Sequence, residues 1–221
     1  MRDDGLLLGV DTCGPSGSIA LGRVSGDRID LVGQTEIAGG EYAARLVQGI
    51  AELLASAGVT VGELAGIVAV AGPGSFTGIR IGLAAVKALA ESAGLPVVTV
   101  SRLALLAELG KASCAVLDAH RGQFYCGMYG EGQAREMLLT AGEINSMGGL
   151  AGRVAVCEET VAQLLEELYG EPEIVRVSAP AAVAAIGFAL GKWRDGEFAD
   201  VAALDGYYLR GADAKVGLRM G

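Results

Sequence analysis

The chain has 221 residues, 52% hydrophobic and 19% charged, which excludes a disordered protein and allows one large or two small domains with a real core. Seventeen basic against 26 acidic side chains leave a net charge of −9. No Lys/Arg cluster appears, which argues against unaided binding of tRNA or DNA.

The four cysteines, Cys13, Cys114, Cys126 and Cys157, are scattered without a Cys-x-x-Cys pair. They read as reduced thiols and not as a disulfide framework or a zinc site. The opening MRDDGLLLGVD holds too short an apolar run for a signal peptide. The longest apolar stretch, Ala179 to Gly191, is broken by Pro180 and is too short to span a bilayer. A cytoplasmic protein is expected.

Taken in order, Leu6 to Val10 reads as a buried strand ending in Asp11, Thr12 to Gly17 as a turn, and Ser18 to Leu21 as the lead into a second strand. Gly26-Asp27-Arg28 turns the chain into a third strand over Ile29 to Ile37, which makes an antiparallel meander. A helix follows from about Glu41 to Ala57, closed by Gly58. Its apolar positions, Ala43, Leu46, Val47, Ile50, Leu53, Leu54 and Ala57, wrap more than half the circumference. Arg45, Gln48, Glu52 and Ser56 share the narrow polar side.

Ile67 to Ala71 is the next strand, and it enters AGPGSFTGIRIG, Ala71 to Gly82. Gly72, Pro73 and Gly74 make a sharp turn, because glycine accepts φ > 0 and proline presets its own φ. Ser75 is a natural N-cap for a helix to about Ser92, ended by Gly94 and Pro96. The turn is not a Walker loop, since Ile79-Arg80 follow Gly78, and it fails the dinucleotide fingerprint, since Gly72-x-Gly74-x-x lands on Thr77.

On this helix Ile79, Leu83, Val86 and Ala90 form one stripe and Gly78, Gly82, Ala85 and Leu89 a second, widened by Ile81 and Ala88. Only Arg80, Lys87 and Glu91 mark a wet side. The apolar arc covers roughly 200°, where one-sided packing needs about 100°. Two successive helices with such arcs predict a surface covered from outside the lobe, with Gly78, Gly82 and Ala85 admitting another backbone. The plainer alternative is a core helix wedged between its own neighbours. The partner-binding candidates are Leu46, Ile50 and Leu53 on the first helix, and Gly78, Ile79, Gly82, Leu83, Ala85, Val86 and Leu89 on the second.

Val97 to Val100 completes a βββαβαβ order, and a short helix over Arg102 to Leu109 leads out of the first lobe. The pattern then starts again: Ala115-Val116-Leu117 ends in Asp118, and Phe124 to Tyr129 follows after a turn. Arg135 to Leu139 fits a third strand, Val154 to Cys157 a fourth, Thr160 to Tyr169 a helix and Ile174 to Val177 a strand. Pro180 to Arg194 is the last helix, expected to cover the second sheet. The pattern is thin between Glu131 and Gly152. The expected fold is α/β, a duplicated βββαβαβ with two lobes (1–104 and 105–221) of mixed sheets flanked by helices.

A duplicated unit of this order with an aspartate after its first strand resembles the actin–sugar kinase–Hsp70 superfamily, the RNase H-like or actin-like ATPase fold. The segment Gly72 to Gly82 is similar to the signature of the TsaB (YeaZ) family. The likeness extends through Leu7 to Leu21, the first helix, Leu95-Pro96-Val97 with Ser101, Asp118 with Gly122 and Tyr125, and Tyr208-Leu209-Arg210. The resemblance implies a non-catalytic dimerisation or scaffold subunit supporting TsaD, joined by the ATPase TsaE. The product would be N6-threonylcarbamoyladenosine at position 37 of tRNAs reading ANN codons, with tRNA met only through the complex. It also implies a TsaD contact through the first two helices, here 41–57 and 75–92. A His-Ser pair common in that family at the start of the first helix is Glu41-Tyr42 here, which alters polar contacts and leaves the packing face alone.

TsaD, by the same resemblance, holds its metal with two histidines four apart on a helix plus an aspartate. A single histidine, His120, cannot build that site. A serine or cysteine protease needs a positioned base, and His120 sits in Asp-Ala-His-Arg-Gly with no nucleophile beside it, so it reads as a surface turn residue. Asp11, Thr12, Ser16 and Asp118 remain. In sugar kinases the matching aspartate and loop handle Mg-ATP, so one reading is a weak ATP or ADP site with Mg²⁺. The other is that both aspartates cap turns at strand ends, the first turn having no basic residue for phosphates. No catalytic residue, metal site or required cofactor is expected. Two alternatives stand beside the TsaD partner: a free-standing small-molecule kinase or ATPase of the same fold, and a homodimeric binding module using the same helix pair.

Overall fold

Two short turns connect β1 (Asp4–Asp11), β2 (Ser16–Ser25) and β3 (Arg28–Ala38) into an antiparallel meander, in which β1 is continuously buried from Leu6 onward and β3 is mostly exposed. The computed structural model describes residues 3–130, 134–147, 150, 152–169 and 173–209. Arg210, part of the family likeness, lies outside the described residues. After the meander come α1 (Tyr42–Ser56), β4 (Gly66–Gly72), α2 (Phe76–Ala93) and β5 (Val97–Ser101). β4 and β5 add parallel to β1, so the first sheet has the order β3-β2-β1-β4-β5. β4 is buried along its whole length, and its GIVAVAG run is the continuous apolar sequence that a central parallel strand needs.

The second unit carries α3 (Arg102–Gly110), β6 (Cys114–Asp118), β7 (Gln123–Met128), β8 (Arg135–Thr140), α4 (Ala141–Ser146), β9 (Val154–Val156), α5 (Glu159–Tyr169) and β10 (Ile174–Arg176). Its sheet, read from β8, is β8-β7-β6-β9-β10, which repeats the first sheet strand for strand. The pairing repeats too: β6 is antiparallel to β7 and parallel to β9, as β1 is to β2 and β4. Val116, Cys126, Val156, Ala162 and Leu165 belong to its buried core. The thin stretch before residue 152 holds β8 and α4, whose start is a reciprocal cap. Glu143 N–H donates to Thr140 Oγ1 (3.3 Å), and Thr140 N–H donates to Glu143 Oε2 (2.7 Å).

One expectation is corrected here. The last helix, α6 (Ala182–Asp195), does not cover the second sheet; residues Ala181–Tyr207 return to the first unit, so 105–221 is not one lobe. The reason lies in the glycines of β1 and β2. A Cβ on Gly9 would stand 2.6 Å from Ala182 O, one on Gly22 3.2 Å from Ile186 Cδ1, and one on Gly5 3.2 Å from Trp193 Cζ2. These glycines open a flat bed for α6. Ala182 N–H donates to Ser18 Oγ at 2.8 Å, and Arg194 donates to Asp27 Oδ1 at 2.7 Å. The opposite face of the same sheet takes α1: Ile19 and Ile37 reach Gly49 of that helix. α3, which follows β5, packs correspondingly on β6, β7 and β9 of the second sheet. Among the described residues no helix is long and apolar enough to cross a membrane.

Candidate functional site

The helix pair α1 and α2 is built around the β1–β2 turn. Gly72 (φ 122°) and Gly74 (φ 159°) take backbone conformations that side chains rarely adopt, and a Cβ on Gly74 would overlap Cys13 O. That close approach lets Ser75 N–H donate to Cys13 O at 2.8 Å. Ser75 then caps α2, its Oγ accepting Gly78 N–H at 3.2 Å. Thr12 reaches into α2: its hydroxyl donates to Gly78 O at 2.7 Å. A Cβ on Gly78 would overlap Thr12 O, and one on Gly82 would overlap Thr12 Oγ1. On the other side, Tyr42 at the start of α1 donates its phenol to Gly14 O at 2.9 Å.

The backbone that the small residues of α2 admit is therefore the chain's own. Leu46, Ile50, Leu53, Gly78, Ile79, Gly82, Leu83 and Val86 are all buried in the first unit, which corrects their placement on a partner-facing surface. Their wide arc is divided between the sheet, the sister helix and the turn. Ala85 and Leu89 are half-buried. What faces outward is a different set. Val47 is 66% exposed and Phe76 52%, and Ala43, Ala44, Ala51, Ala55, Ala84 and Ala88 are exposed beside them. The Arg80 guanidinium lies 3.8 Å from the centroid of the exposed Phe76 ring.

Of the four residues read for a nucleotide, Asp11 (1% exposed) and Thr12 (2%) are buried, Ser16 is exposed, and Asp118 belongs to the second unit. Asp11 Oδ1 accepts Cys13 N–H at 2.8 Å, and Asp118 Oδ1 accepts His120 N–H at 2.7 Å. The same turn-capping bond thus occurs in both halves. The Thr12 hydroxyl is directed to Gly78 O, and residues 11–18 contain no lysine or arginine. This donor set is a poor match to a Mg-nucleotide.

His120 lies in an exposed turn, its side chain 85% accessible, with Nδ1 3.2 Å from Asp118 Oδ2. Beside it sits a residue that sequence reading passed over. Glu158 Oε2 accepts Asp118 N–H at 2.8 Å, tying the start of α5 to the end of β6. Burial pushes the Glu158 carboxyl above its ordinary range, against the Asp118 N–H bond and the nearby Arg102 charge. A separation of 40 residues hides this pair from any local pattern. Cys126 is fully buried, and burial beside Cys114 pushes its thiol up to about 12. Among the described residues no group of three His, Cys, Asp or Glu could hold a metal ion.

The family described as TsaD, tRNA N6-adenosine threonylcarbamoyltransferase, matches residues 35–164, more than half of the chain and including α1 and α2. The chain belongs to the TsaD family. Within that family its likeness is to the TsaB (YeaZ) members. It is 37% identical over 92 residues to the tRNA threonylcarbamoyladenosine biosynthesis protein TsaB of Bacillus subtilis, covering 40% of this chain and 40% of that relative. It is 33% identical over 125 residues to the TsaB of Haemophilus influenzae, covering 54% and 51%. These alignments span about half or less of the relatives' own lengths. YeaZ from Pseudomonas aeruginosa superposes with a TM-score of 0.73 at 25% identity, over 92% of this chain and 99% of that one. The TsaB (YeaZ) resemblance and the two-lobed α/β fold read from the sequence are both borne out.

Proposed function

We propose that this chain is a non-catalytic partner subunit of TsaD in the formation of N6-threonylcarbamoyladenosine on tRNA. It docks through the outward faces of α1 and α2. One observation carries the reading: after both helices have packed on their own sheet, they still present Val47, Phe76 and a run of alanines to solvent. Alanines let a second pair of helices approach closely, and an exposed valine and phenylalanine provide anchors. The acidic charge of −9 supports tRNA reaching this subunit only within an assembly, with TsaE as a further member. Catalysis then belongs to TsaD, since the one histidine of this sequence stands in an exposed turn.

The test is to mix the purified chain with TsaD and measure both association and modified tRNA. The expected outcome is a complex that forms product while this chain alone forms none. A chain that stays apart from TsaD in sedimentation and leaves its product yield unchanged overturns the proposal. A self-associated dimer that TsaD cannot displace supports the binding-module alternative.

A further inference from the structure

We infer that the β1–β2 turn is a strut setting the spacing of α1 and α2, with Thr12 and Tyr42 the positioning residues for the docking face. The inference rests on the TsaD-partner reading for its functional consequence. Four hydrogen bonds tie the turn to the N-terminal ends of the two helices, two of them to helix residues (Tyr42, Gly78) and two to residues just before the helices (Gly39, Ser75). On the α1 side Tyr42 Oη–H donates to Gly14 O (2.9 Å) and Gly39 N–H to Pro15 O (2.9 Å). On the α2 side Thr12 Oγ1–H donates to Gly78 O (2.7 Å) and Ser75 N–H to Cys13 O (2.8 Å). The Tyr42 ring also passes 3.1 Å from where a Cβ on Gly78 would stand, so one buried side chain touches the turn and both helices.

The position of these ties matters. Val47 lies little more than one turn beyond Tyr42, and Phe76 lies two residues before Gly78, so the strutted end carries the two bulkiest outward-facing apolar groups. A docking surface made of two helices is complementary to its partner only at one spacing. Shifts on the order of 1 Å forfeit contacts across the whole face. An Asp-Thr turn of this kind is thereby given mechanical work in place of phosphate binding, through the two glycines that make room for Thr12.

The test compares Thr12→Ala, Thr12→Ser and Tyr42→Phe with Trp193→Phe, a buried change on the α6 face of the same sheet. Three quantities are read: affinity for TsaD, Tm, and amide exchange at residues 76–82. Thr12→Ala and Tyr42→Phe are expected to weaken TsaD binding about tenfold and to speed exchange in the first turns of α2. Thr12→Ser, which keeps the hydroxyl, is expected to bind within about threefold of the parent. Trp193→Phe is expected to keep the parent affinity at a comparable fall in Tm. A folded Thr12→Ala or Tyr42→Phe that binds within about twofold of the parent overturns the inference, as does a parallel loss in Trp193→Phe. If the parent chain itself does not bind TsaD, the partner reading falls and exchange alone judges the strut. Faster exchange in Thr12→Ala then supports it, and unchanged exchange overturns it.

Discussion

Replacing Gly82 by alanine sets helix propensity against packing, and the two predict opposite signs. In the middle of α2, alanine is the better helix former, so propensity alone predicts a gain of about 1 kcal/mol. The structure predicts a loss. The new methyl would overlap Thr12 Oγ1 and lie 3.2 Å from Thr12 Cβ and 3.3 Å from its Cγ2. Thr12 is 2% exposed, and moving its hydroxyl away from the new methyl would stretch the 2.7 Å bond it donates to Gly78 O. Overpacking a filled site costs about 1–3 kcal/mol and a lost buried hydrogen bond about 1 kcal/mol. Offset by the propensity gain, the net is a destabilisation of roughly 1–3 kcal/mol. For a chain of this size that lowers Tm by roughly 2–12 °C. Urea unfolding of Gly82→Ala, Thr12→Ala and the double variant measures it, and a coupling of about 1 kcal/mol or more is expected because the pair is in contact. Gly82→Ala more stable than the parent would refute the wedge, and with it the reason why this position is glycine.

On the outward face, Val47→Glu or Ala84→Glu should abolish TsaD association in sedimentation while circular dichroism and Tm stay close to the parent; unchanged association removes the face from the interface. Trp193 is the single tryptophan and is 1% exposed, so Trp193→Ala should cost about 3–5 kcal/mol. Amide exchange should then speed up in β1 and β4 before β6 and β9, and the reverse order would return α6 to the second sheet. Glu158 has a raised pKa in the fold, so its stabilising contribution is present below about pH 4.3 and is lost as pH rises through the raised value. Glu158→Gln should therefore gain stability relative to the parent between pH 4 and pH 7, and urea midpoints showing the larger advantage at pH 4 would contradict the shift. Under native conditions iodoacetamide should label Cys157 ahead of Cys13, Cys114 and Cys126, which are buried, and mass spectrometry of the labelled peptides checks this.

Local rules were enough for much of this protein. The apolar strand runs, the glycine-proline turn, the Ser75 cap and the recurrence of strand, aspartate, turn and strand are short-range features, and the strands themselves follow from them, whereas their order in the sheets is set by pairings between distant segments. The Thr140–Glu143 cap is equally local, a Thr-x-x-Glu pattern before a six-residue helix, but it was not among the features read from the sequence. The excess of apolar circumference on two helices was also a property of the sequence alone. Which residues carry that excess was not. Periodicity gives the width of an arc and says nothing of what lies against each part of it. Only the tertiary structure brings Thr12, 66 residues away, against Gly78 and thereby turns the small-residue stripe inward, leaving Val47 and Phe76 outside. The same holds for α6, whose sequence pattern fits either sheet. The glycines of β1 and β2 decide it, because a helix packs where the missing side chains leave room.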